Sequence, residues 1–181
     1  CNISLYSIKH VPGAVHLHYR ALMSTTPPAM GKCPSFSEIQ SLISHLGINQ
    51  SKQVVVYDDE GGGWAGRFTW IMDLVGLHNW SYLNGGVVAW IKEGFPTESS
   101  PNRPNSDKVD IGDDFAHPEA SITIDEILVS LDSSNFAIWD ARNPAEYSGD
   151  VVSAARGGHI PGAINLEWTA LMDPQANLRI H

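Results

Sequence analysis

The stretch His10–Met23 reads HVPGAVHLHYRALM, and His159–Met172 repeats it as HIPGAINLEWTALM. The two copies share His, Pro-Gly-Ala, Leu, an aromatic residue and a final Ala-Leu-Met, in the same order. Their offset is 149 residues (159 − 10 = 149), which far exceeds the roughly 20–50-residue period of solenoids and propellers. The repeat therefore predicts a duplicated domain. Because 181 residues cannot hold two units of that length, we expect most of one copy and the opening of the next.

Helix and strand patterns alternate after the first copy. Ser35–Glu38 has the form of a capping box that begins a helix ending near Gly47. Val54–Tyr57 is a continuous apolar run, typical of a buried parallel strand. A helix, a short strand and a short helix are predicted next, at 64–76, 81–83 and 87–92. The alternation predicts an α/β domain with a largely parallel sheet.

The composition divides the chain into two units. Residues 95–118 are rich in Pro, Ser, Asn and Asp, which predicts a linker between a first domain, 1–94, and a second domain, 119–181. The second begins with a capping box, a strand at Phe136–Trp139 and a helix begun by Asn143-Pro144. We expect the first domain to be incomplete at its N-terminus, without a counterpart of 122–158. The second is expected to be incomplete at its C-terminus.

Charge and cysteine content exclude several classes of protein. The chain has 20 acidic and 11 basic residues, with a net charge of −9, so a nucleic-acid partner is not expected. No apolar run approaches the roughly 18 residues of a membrane span. Cys1 and Cys33 form no CxxC motif, which predicts incidental thiols, no metal site and a cytoplasmic location. The sequence predicts no cofactor.

Gly61–Gly66 matches the GxGxxG pattern of dinucleotide-binding loops. Asp58, Asp59 and Glu60 argue against that function, because they place negative charge where a pyrophosphate would need N–H groups. No acidic residue lies about twenty residues downstream to hold a ribose. We expect a helix start capped by the protein's own carboxylates. A sharper hypothesis, compatible with the first, is a former anion- or thiolate-binding loop whose reactive residue is now an acid.

Four motifs together resemble the tandem-domain rhodaneses, which are thiosulfate:cyanide sulfurtransferases with the mercaptopyruvate sulfurtransferases as close relatives. They are GHIPGAINLEW (158–168), VVVYDDEGGGWAGR (54–67), LNGGVVAWIKEG (83–94) and the Asp-Ala-Arg of 140–142 with Glu-Tyr after it. The resemblance covers nearly the whole chain. It implies two three-layer α/β domains, each with a parallel sheet. The first half would be catalytically silent, and the second would carry a nucleophilic cysteine between a strand and a helix.

The resemblance also implies that Asp58 stands where the active half has its cysteine. A carboxylate is a poor sulfur nucleophile and repels an anionic sulfur donor, which would explain the silent half. The active loop would lie beyond His181. We therefore expect the parent protein to transfer sulfur through a cysteine persulfide, and this chain alone to be inactive, with no catalytic residue of its own.

Three residues are candidates for the substrate cleft. Trp64 resembles the aromatic residue that the silent half presents to the cleft, although core packing would also explain it. Arg142 resembles the arginine of the strand-end turn, where a salt bridge is the simpler function. Glu146 stands where some relatives place a substrate-binding arginine, which argues against mercaptopyruvate and for thiosulfate. His10 and His159 are expected to support the fold, and Arg67 to pair with local acids.

Other interpretations stay open at this point. The same fold with an acid in place of the nucleophile could be a non-catalytic binding or regulatory module, and it also occurs in cysteine-dependent phosphatases. Incomplete parallel sheets expose unpaired edges, so we expect a complementary polypeptide fragment or a second chain as partner, besides a small-molecule sulfur donor and acceptor. A further alternative is one domain completed by permutation, with 122–181 supplying what the first unit lacks.

Overall fold

The structure, a computed structural model, describes residues 3–25 and 31–181. The chain forms two compact units, unit 1 (1–120 with 174–180) and unit 2 (121–173 with 181). Helices and parallel strands alternate, as expected for an α/β protein. The helices are α1 Ile3–Ile8, α2 Phe36–Leu46, α3 Gly63–Leu74, α4 Gly86–Lys92, α5 Ile124–Ser130 and α6 Pro144–Ser148. The strands are β1 Val54–Val56, β2 Trp80–Tyr82, β3 Trp139–Asp140, β4 Ile164–Asn165, β5 Met172–Asp173 and β6 Arg179–Ile180.

Unit 1 contains a buried core around a short parallel sheet. Strands β1 and β2 pair in parallel, with Val54 opposite Trp80 and Val56 opposite Tyr82. Helix α3 follows β1 and buries one apolar face, including Phe68 and Ile71. Helix α2 adds Ile39 and Ile43, which are fully buried. Burial of these side chains supplies the main stabilisation of unit 1.

The predicted ends of α2 are confirmed. Ser35 accepts a hydrogen bond from the N–H of Glu38, whose carboxylate accepts one from the N–H of Ser35, so both halves of the capping box are present. Gly47 ends the helix in the left-handed region at φ 62°. A side chain at Gly47 would collide with the carbonyl group of Asn105, so glycine is required there for two reasons.

The segment 95–118, predicted as a linker, is part of unit 1 and packs on its helices and core. Val109 is buried in the core, and the ring of Phe115 meets that of Phe36 edge to face at 5.6 Å. The N–H of Asp107 donates to the carbonyl oxygen of Ser44 at 3.0 Å. This docking was missed because the apolar anchors are isolated among polar residues. The linker role and the domain boundaries stay predictions.

Unit 2 has the predicted helix starts but little core. Thr123 and Glu126 form the second capping box, and Asn143 caps α6 with Pro144 at its first position. Strands β3 and β4 pair in parallel. The predicted strand 136–139 is observed only as the shorter β3, Trp139–Asp140. No residue of α5 is buried, and several large apolar side chains of unit 2 are exposed: Ile122, Ile124, Leu128, Val129, Trp139, Val152 and Ile164.

The two copies of the repeated stretch have the same backbone conformation. In each, the alanine after Pro-Gly donates its N–H to the carbonyl oxygen three residues back at 3.0 Å. The intervening glycines, Gly13 and Gly162, have φ values of 79° and 80°. A 3-10 helix ends each copy, at Tyr19–Leu22 and at Trp168–Leu171. Equal geometry at a constant offset confirms that the repeat is a structural duplication.

A Tyr–His clamp holds the repeated stretch in unit 1. The ring of Tyr6 stacks on that of His10 at 3.9 Å, and the Tyr6 hydroxyl donates to the carbonyl oxygen of Ala14 at 2.9 Å. The Nδ1 atom of His10 lies 2.6 Å from the carbonyl oxygen of Tyr6, close enough for a hydrogen bond. The clamp therefore ties α1 to the start of the repeat.

Unit 2 contains the same clamp, built by Tyr147, His159 and Ala163. The rings stack at 3.7 Å, the hydroxyl donates to the Ala163 carbonyl oxygen at 2.7 Å, and Nδ1 of His159 lies 2.8 Å from the Tyr147 carbonyl oxygen. Helix α1 is therefore the counterpart of α6. The expectation that unit 1 has no counterpart of 122–158 is wrong at this helix. The sequence hid it because the tyrosine precedes the histidine by 4 residues in unit 1 and by 12 in unit 2.

Two further findings concern the whole described chain. Strands β3 and β4 pair with each other, and the β1–β2 sheet has no third strand among residues 3–25 and 31–181, so no strand of 122–181 completes that sheet. This argues against the permutation alternative, although residues 174–180 belong to unit 1. Of the helices in these ranges, none has the length and apolar character needed to cross a membrane.

Candidate functional site

The candidate site is the loop that joins β1 to α3. Strand β1 ends at Val56, and two residues later the Asp58 side chain turns beneath the loop, with only 1% of its surface exposed. Its carboxylate accepts hydrogen bonds from four backbone N–H groups. Oδ1 accepts from Glu60 at 3.1 Å and Gly62 at 2.8 Å, and Oδ2 accepts from Trp64 and Ala65 at 3.0 Å each. We call these four N–H groups the amide cradle.

The amide cradle is an anion site that the protein fills itself. The first N–H groups of a helix have no partner within the helix, and the helix dipole favours negative charge at this end. Asp58 supplies that charge through charge-assisted hydrogen bonds. The prediction of a self-capped helix start is confirmed, with Asp58 as the cap. A nucleotide phosphate would have to displace this carboxylate.

The turn before α4 packs behind the loop. The N–H of Val87 donates to the carbonyl oxygen of Asp58 at 3.1 Å. Gly86, at φ 54°, passes so close that a side chain there would collide with the Asp58 carbonyl group. The LNGG motif therefore has a structural function, because its second glycine lets the turn approach and fix the loop.

A cavity of about 340 Å³ in unit 1 opens beside Asp58. The residues that line it include β1 with Tyr57 and the segment 13–17 of the first repeat. Trp64 and Tyr19 also line it, with ring centroids 4.8 Å apart. Burial lowers the pKa of His16, one of the lining residues. The lining of the cavity is mainly apolar.

Trp64, a candidate for the substrate cleft, lies at the start of α3. Its backbone N–H belongs to the amide cradle, and its half-buried ring packs on Tyr19 and against the core. This packing accounts for an aromatic residue at position 64 in unit 1. The cleft role of Trp64 stays a prediction.

Arg142 forms a two-point ion pair with Asp140. Its Nε lies 2.9 Å from Oδ1 and its Nη2 2.6 Å from Oδ2, and Nη2 also donates to the Gly158 carbonyl oxygen at 2.9 Å. Hydrogen bonding to Arg142 lowers the pKa of Asp140, and the same pairing raises the pKa of Arg142. These contacts close the turn after β3. The role of Arg142 in the substrate cleft stays a prediction.

Glu146 is engaged by its own helix start and by the following loop. Its N–H donates to Oδ1 of Asn143 at 2.9 Å, and Nδ2 of Asn143 donates to Oε2 of Glu146 at 2.7 Å. The hydroxyl of Ser153 donates to Oε1 at 2.8 Å. Glu146 thus ties α6 to the loop 149–158, and its role in substrate selection stays a prediction.

The remaining residues named in the sequence analysis are Arg67 and the two cysteines. The expectation that Arg67 pairs with acids is wrong, because its guanidinium donates to the carbonyl oxygens of Leu22 and Gly31 and lies over the ring of Trp70. Cys33 forms no disulfide within the described residues, and burial raises the pKa of its thiol. Cys1 lies outside the described residues. The sequence missed Tyr6, which the Tyr–His clamp requires.

Comparison with known proteins gives one family. The family described as the rhodanese-like domain matches residues 2–93 and 123–180, most of both units. Thiosulfate sulfurtransferases from Azotobacter vinelandii and Pseudomonas aeruginosa are 45% and 43% identical over 175 residues, 97% of this chain. The chain spans 64% of the length of each.

Solved structures have the same fold. The Tum1 protein of Saccharomyces cerevisiae superimposes with a TM-score of 0.80 at 21% identity, over 94% of this chain and 59% of that one. At this identity the likeness shows the fold alone. The α/β architecture expected from the sequence is confirmed.

Proposed function

The chain belongs to the rhodanese-like domain family, and on that premise we propose that it is part of a thiosulfate sulfurtransferase whose reactive cysteine lies outside residues 1–181. Close relatives are sulfurtransferases, so sulfur transfer is the activity of the family. The observation that carries the proposal for this chain is the Asp58 carboxylate in the amide cradle. The parent protein would act in the cytoplasm.

The proposed reaction has two steps. A cysteine thiolate attacks the outer sulfur of thiosulfate, a sulfur–sulfur bond forms, and sulfite leaves with the electron pair of the broken bond. Cyanide, or another acceptor that bonds sulfur readily, then attacks the outer sulfur of the persulfide, and thiocyanate and the thiolate are released. The thiolate is the nucleophile of the first step and the leaving group of the second. N–H groups at a helix start stabilise a thiolate at neutral pH.

Unit 1 contains such N–H groups, but they hold a carboxylate. Asp58 fills the amide cradle with a group that cannot accept sulfane sulfur, and its charge opposes an anionic donor. Cys33 is no substitute, because burial raises its pKa and it is not one of the residues that line the cavity beside Asp58. We therefore expect this chain to be inactive by itself.

The assay that tests the proposal is thiocyanate formation from thiosulfate and cyanide. The parent protein should give thiocyanate with ping-pong kinetics, and residues 1–181 should give none above a Cys1→Ser/Cys33→Ser control. An inactive parent, folded and with its loop cysteine reduced, would contradict the proposal. Activity of the short chain that disappears in the double serine variant would contradict the inactive assignment.

A binding module is the second candidate, and the filled cradle of unit 1 favours it. A rhodanese-like unit whose anion site is occupied by its own Asp58 can bind a partner without chemistry. The same assay separates the candidates, because a module leaves thiosulfate unchanged in the parent as well. The mercaptopyruvate branch is tested in parallel by offering mercaptopyruvate as donor, and we expect thiosulfate to be preferred.

We also propose that further rhodanese-like polypeptide completes both units. The chain spans 64% of the length of the relatives it matches, so these relatives contain further polypeptide beyond the matched part. In unit 2, α5 exposes Ile124, Leu128 and Val129, an apolar surface that an isolated domain rarely leaves in water.

In unit 1 the cavity beside β1 fits a missing strand. Val54 and Val56 hydrogen-bond toward β2, so the peptide groups of Val55 point the other way, into the cavity. Residues 15–17 also line the cavity, and by the 149-residue offset they are the counterpart of 164–166, where β4 pairs with β3. A parallel strand like β3 should therefore fit between β1 and residues 15–17.

A peptide titration tests this completion. A labelled peptide of residues 135–141 (NFAIWDA) should bind the chain saturably, as measured by fluorescence anisotropy. Val55→Pro removes an N–H directed into the cavity while leaving the bonds to β2, so it should abolish binding. A scrambled peptide is the control. No saturable binding, or equal binding to the proline variant, would contradict the proposal, as would a stable monodisperse monomer that ignores the peptide.

A further inference from the structure

Two histidines far apart in the sequence meet on the surface of unit 1. His78 lies in the turn between α3 and β2, and His117 lies just before a 3-10 helix at Pro118–Ala120. Their Nε2 atoms are 3.3 Å apart. The backbone N–H of His117 donates to the carbonyl oxygen of Leu74 at 3.1 Å, which anchors its loop to the end of α3.

A carboxylate holds the other ring nitrogen of each histidine. Nδ1 of His78 lies 2.9 Å from Oδ1 of Asp73, and Nδ1 of His117 lies 2.9 Å from Oε1 of Glu119. Asp73 is itself fixed by the indole N–H of Trp80 at 2.8 Å. The order is therefore carboxylate, imidazole, imidazole, carboxylate.

These contacts determine the tautomers. An ionised carboxylate only accepts hydrogen bonds, so each Nδ1 must carry a hydrogen. A neutral imidazole has one N–H, and both Nε2 atoms are then unprotonated, with their lone pairs 3.3 Å apart. Two facing acceptors repel each other unless a positive charge lies between them. That charge is a shared proton or a metal ion.

The distance fits a metal ion. Two imidazole nitrogens at about 2.05 Å from a tetrahedral Zn²⁺ are about 3.3 Å apart. Imidazoles that bind metals commonly donate their other N–H to a carboxylate, as both do in this pair. The net charge of −9 also favours binding of a cation. We propose that His78 and His117 bind a late first-row divalent ion of the Zn²⁺ class, independently of sulfur transfer.

The site has two protein ligands and open positions for water. No group of three or more His, Cys, Asp and Glu side chains that could hold a metal is found in 3–25 and 31–181. Binding is therefore expected to follow imidazole preference, with Cu²⁺ bound more tightly than Zn²⁺ and no measurable binding of Mg²⁺ or Ca²⁺. The sequence did not predict this site because 39 residues separate the two histidines.

Calorimetric titration of the intact chain with Zn²⁺ at pH 7.5 tests the proposal. One ion should bind per chain. His78→Ala and His117→Ala should each weaken binding by about tenfold or more, and Asp73→Asn by about tenfold through the lost carboxylate. His45→Ala, which removes an exposed histidine on α2, should leave binding unchanged. Circular dichroism confirms that each variant is folded.

Three results would overturn the site. They are no Zn²⁺ binding, binding that survives loss of both histidines, and binding reduced equally by His45→Ala. A pair that only shares a proton would give the first result, together with one imidazole proton retained between the rings in the nuclear magnetic resonance spectrum.

Discussion

The two Tyr–His clamps share their geometry and differ in what covers them. The ring stacking, the hydroxyl bond and the Nδ1 contact agree within a few tenths of an ångström. His10 is nevertheless 1% exposed, and Nε2 of His10 lies 3.4 Å from Oε1 of Glu98, whereas His159 is exposed. The repeat thus encodes the clamp locally, and the segment 95–118 buries one copy.

The covering residues of unit 1 form a small polar network. Oε1 of Glu98 accepts hydrogen bonds from the N–H of Gly13 at 2.6 Å and from Nδ2 of Asn102 at 2.6 Å. The N–H of Asn102 donates to the Tyr6 hydroxyl at 3.0 Å. The clamp of unit 1 therefore has partners that the sequence of the repeat alone does not supply, and equal substitutions should have unequal effects.

The largest expected difference is between the two histidines. His10→Ala should destabilise unit 1 by about 3 kcal/mol, because it removes a buried, stacked and hydrogen-bonded ring. His159→Ala should cost less than about 1 kcal/mol, since the His159 side chain is exposed to solvent. Hydrogen exchange of peptides from each unit measures both effects separately. Equal losses would mean that burial does not distinguish the clamps.

The tyrosine hydroxyls give a smaller difference. Tyr6→Phe removes a donor to Ala14 and an acceptor for Asn102, and should cost about 2 kcal/mol. Tyr147→Phe removes the hydroxyl bond to Ala163, the one bond of this hydroxyl among residues 3–25 and 31–181, and should cost about 1 kcal/mol. The same exchange experiment measures both. A larger effect in unit 2 would contradict the comparison.

The glycines of the repeat should behave alike. Gly13 and Gly162 have φ values of 79° and 80°, and a side chain would meet nothing within 4 Å at either position. Alanine should therefore cost about 1 kcal/mol in both units, from backbone strain alone. Unequal costs, measured in unit-specific peptides, would show that the two turns differ in the folded protein.

Low pH should weaken the interactions of Glu98, the carboxylate beside His10. Hydrogen bonds from Asn102 and from the Gly13 N–H lower the pKa of Glu98. A carboxylate whose pKa is lowered by folding stabilises the fold at pH values above its ordinary pKa of about 4.3. This contribution is lost as the pH falls through the lower pKa of the folded state. The stability difference between the protein and Glu98→Gln should therefore shrink from pH 6 to pH 3 in urea unfolding. Asp113→Asn, at an exposed site, is the control.

Contacts between residues close together in the sequence could be predicted from it, and contacts between distant residues could not. The caps at Ser35, Thr123 and Asn143 were predicted because donor and acceptor are three residues apart. The acids before α3 were expected to cap it, but only the structure could select Asp58, because the choice depends on how the loop folds back. Docking of 95–118 and the meeting of His78 with His117 depend on long-range packing, which spacing along the chain does not encode.

We propose that Asp58 occupies, in a duplicated unit, the kind of amide cradle that would stabilise a nucleophilic thiolate in an active unit. Asp58→Cys in a Cys1→Ser/Cys33→Ser background tests it through the ultraviolet absorbance of the thiolate as a function of pH. We predict a thiol pKa at least about one unit below the ordinary value of about 8.5, because the four N–H groups that hold the carboxylate would hold the thiolate. A pKa at or above the ordinary value in the folded variant would contradict the account.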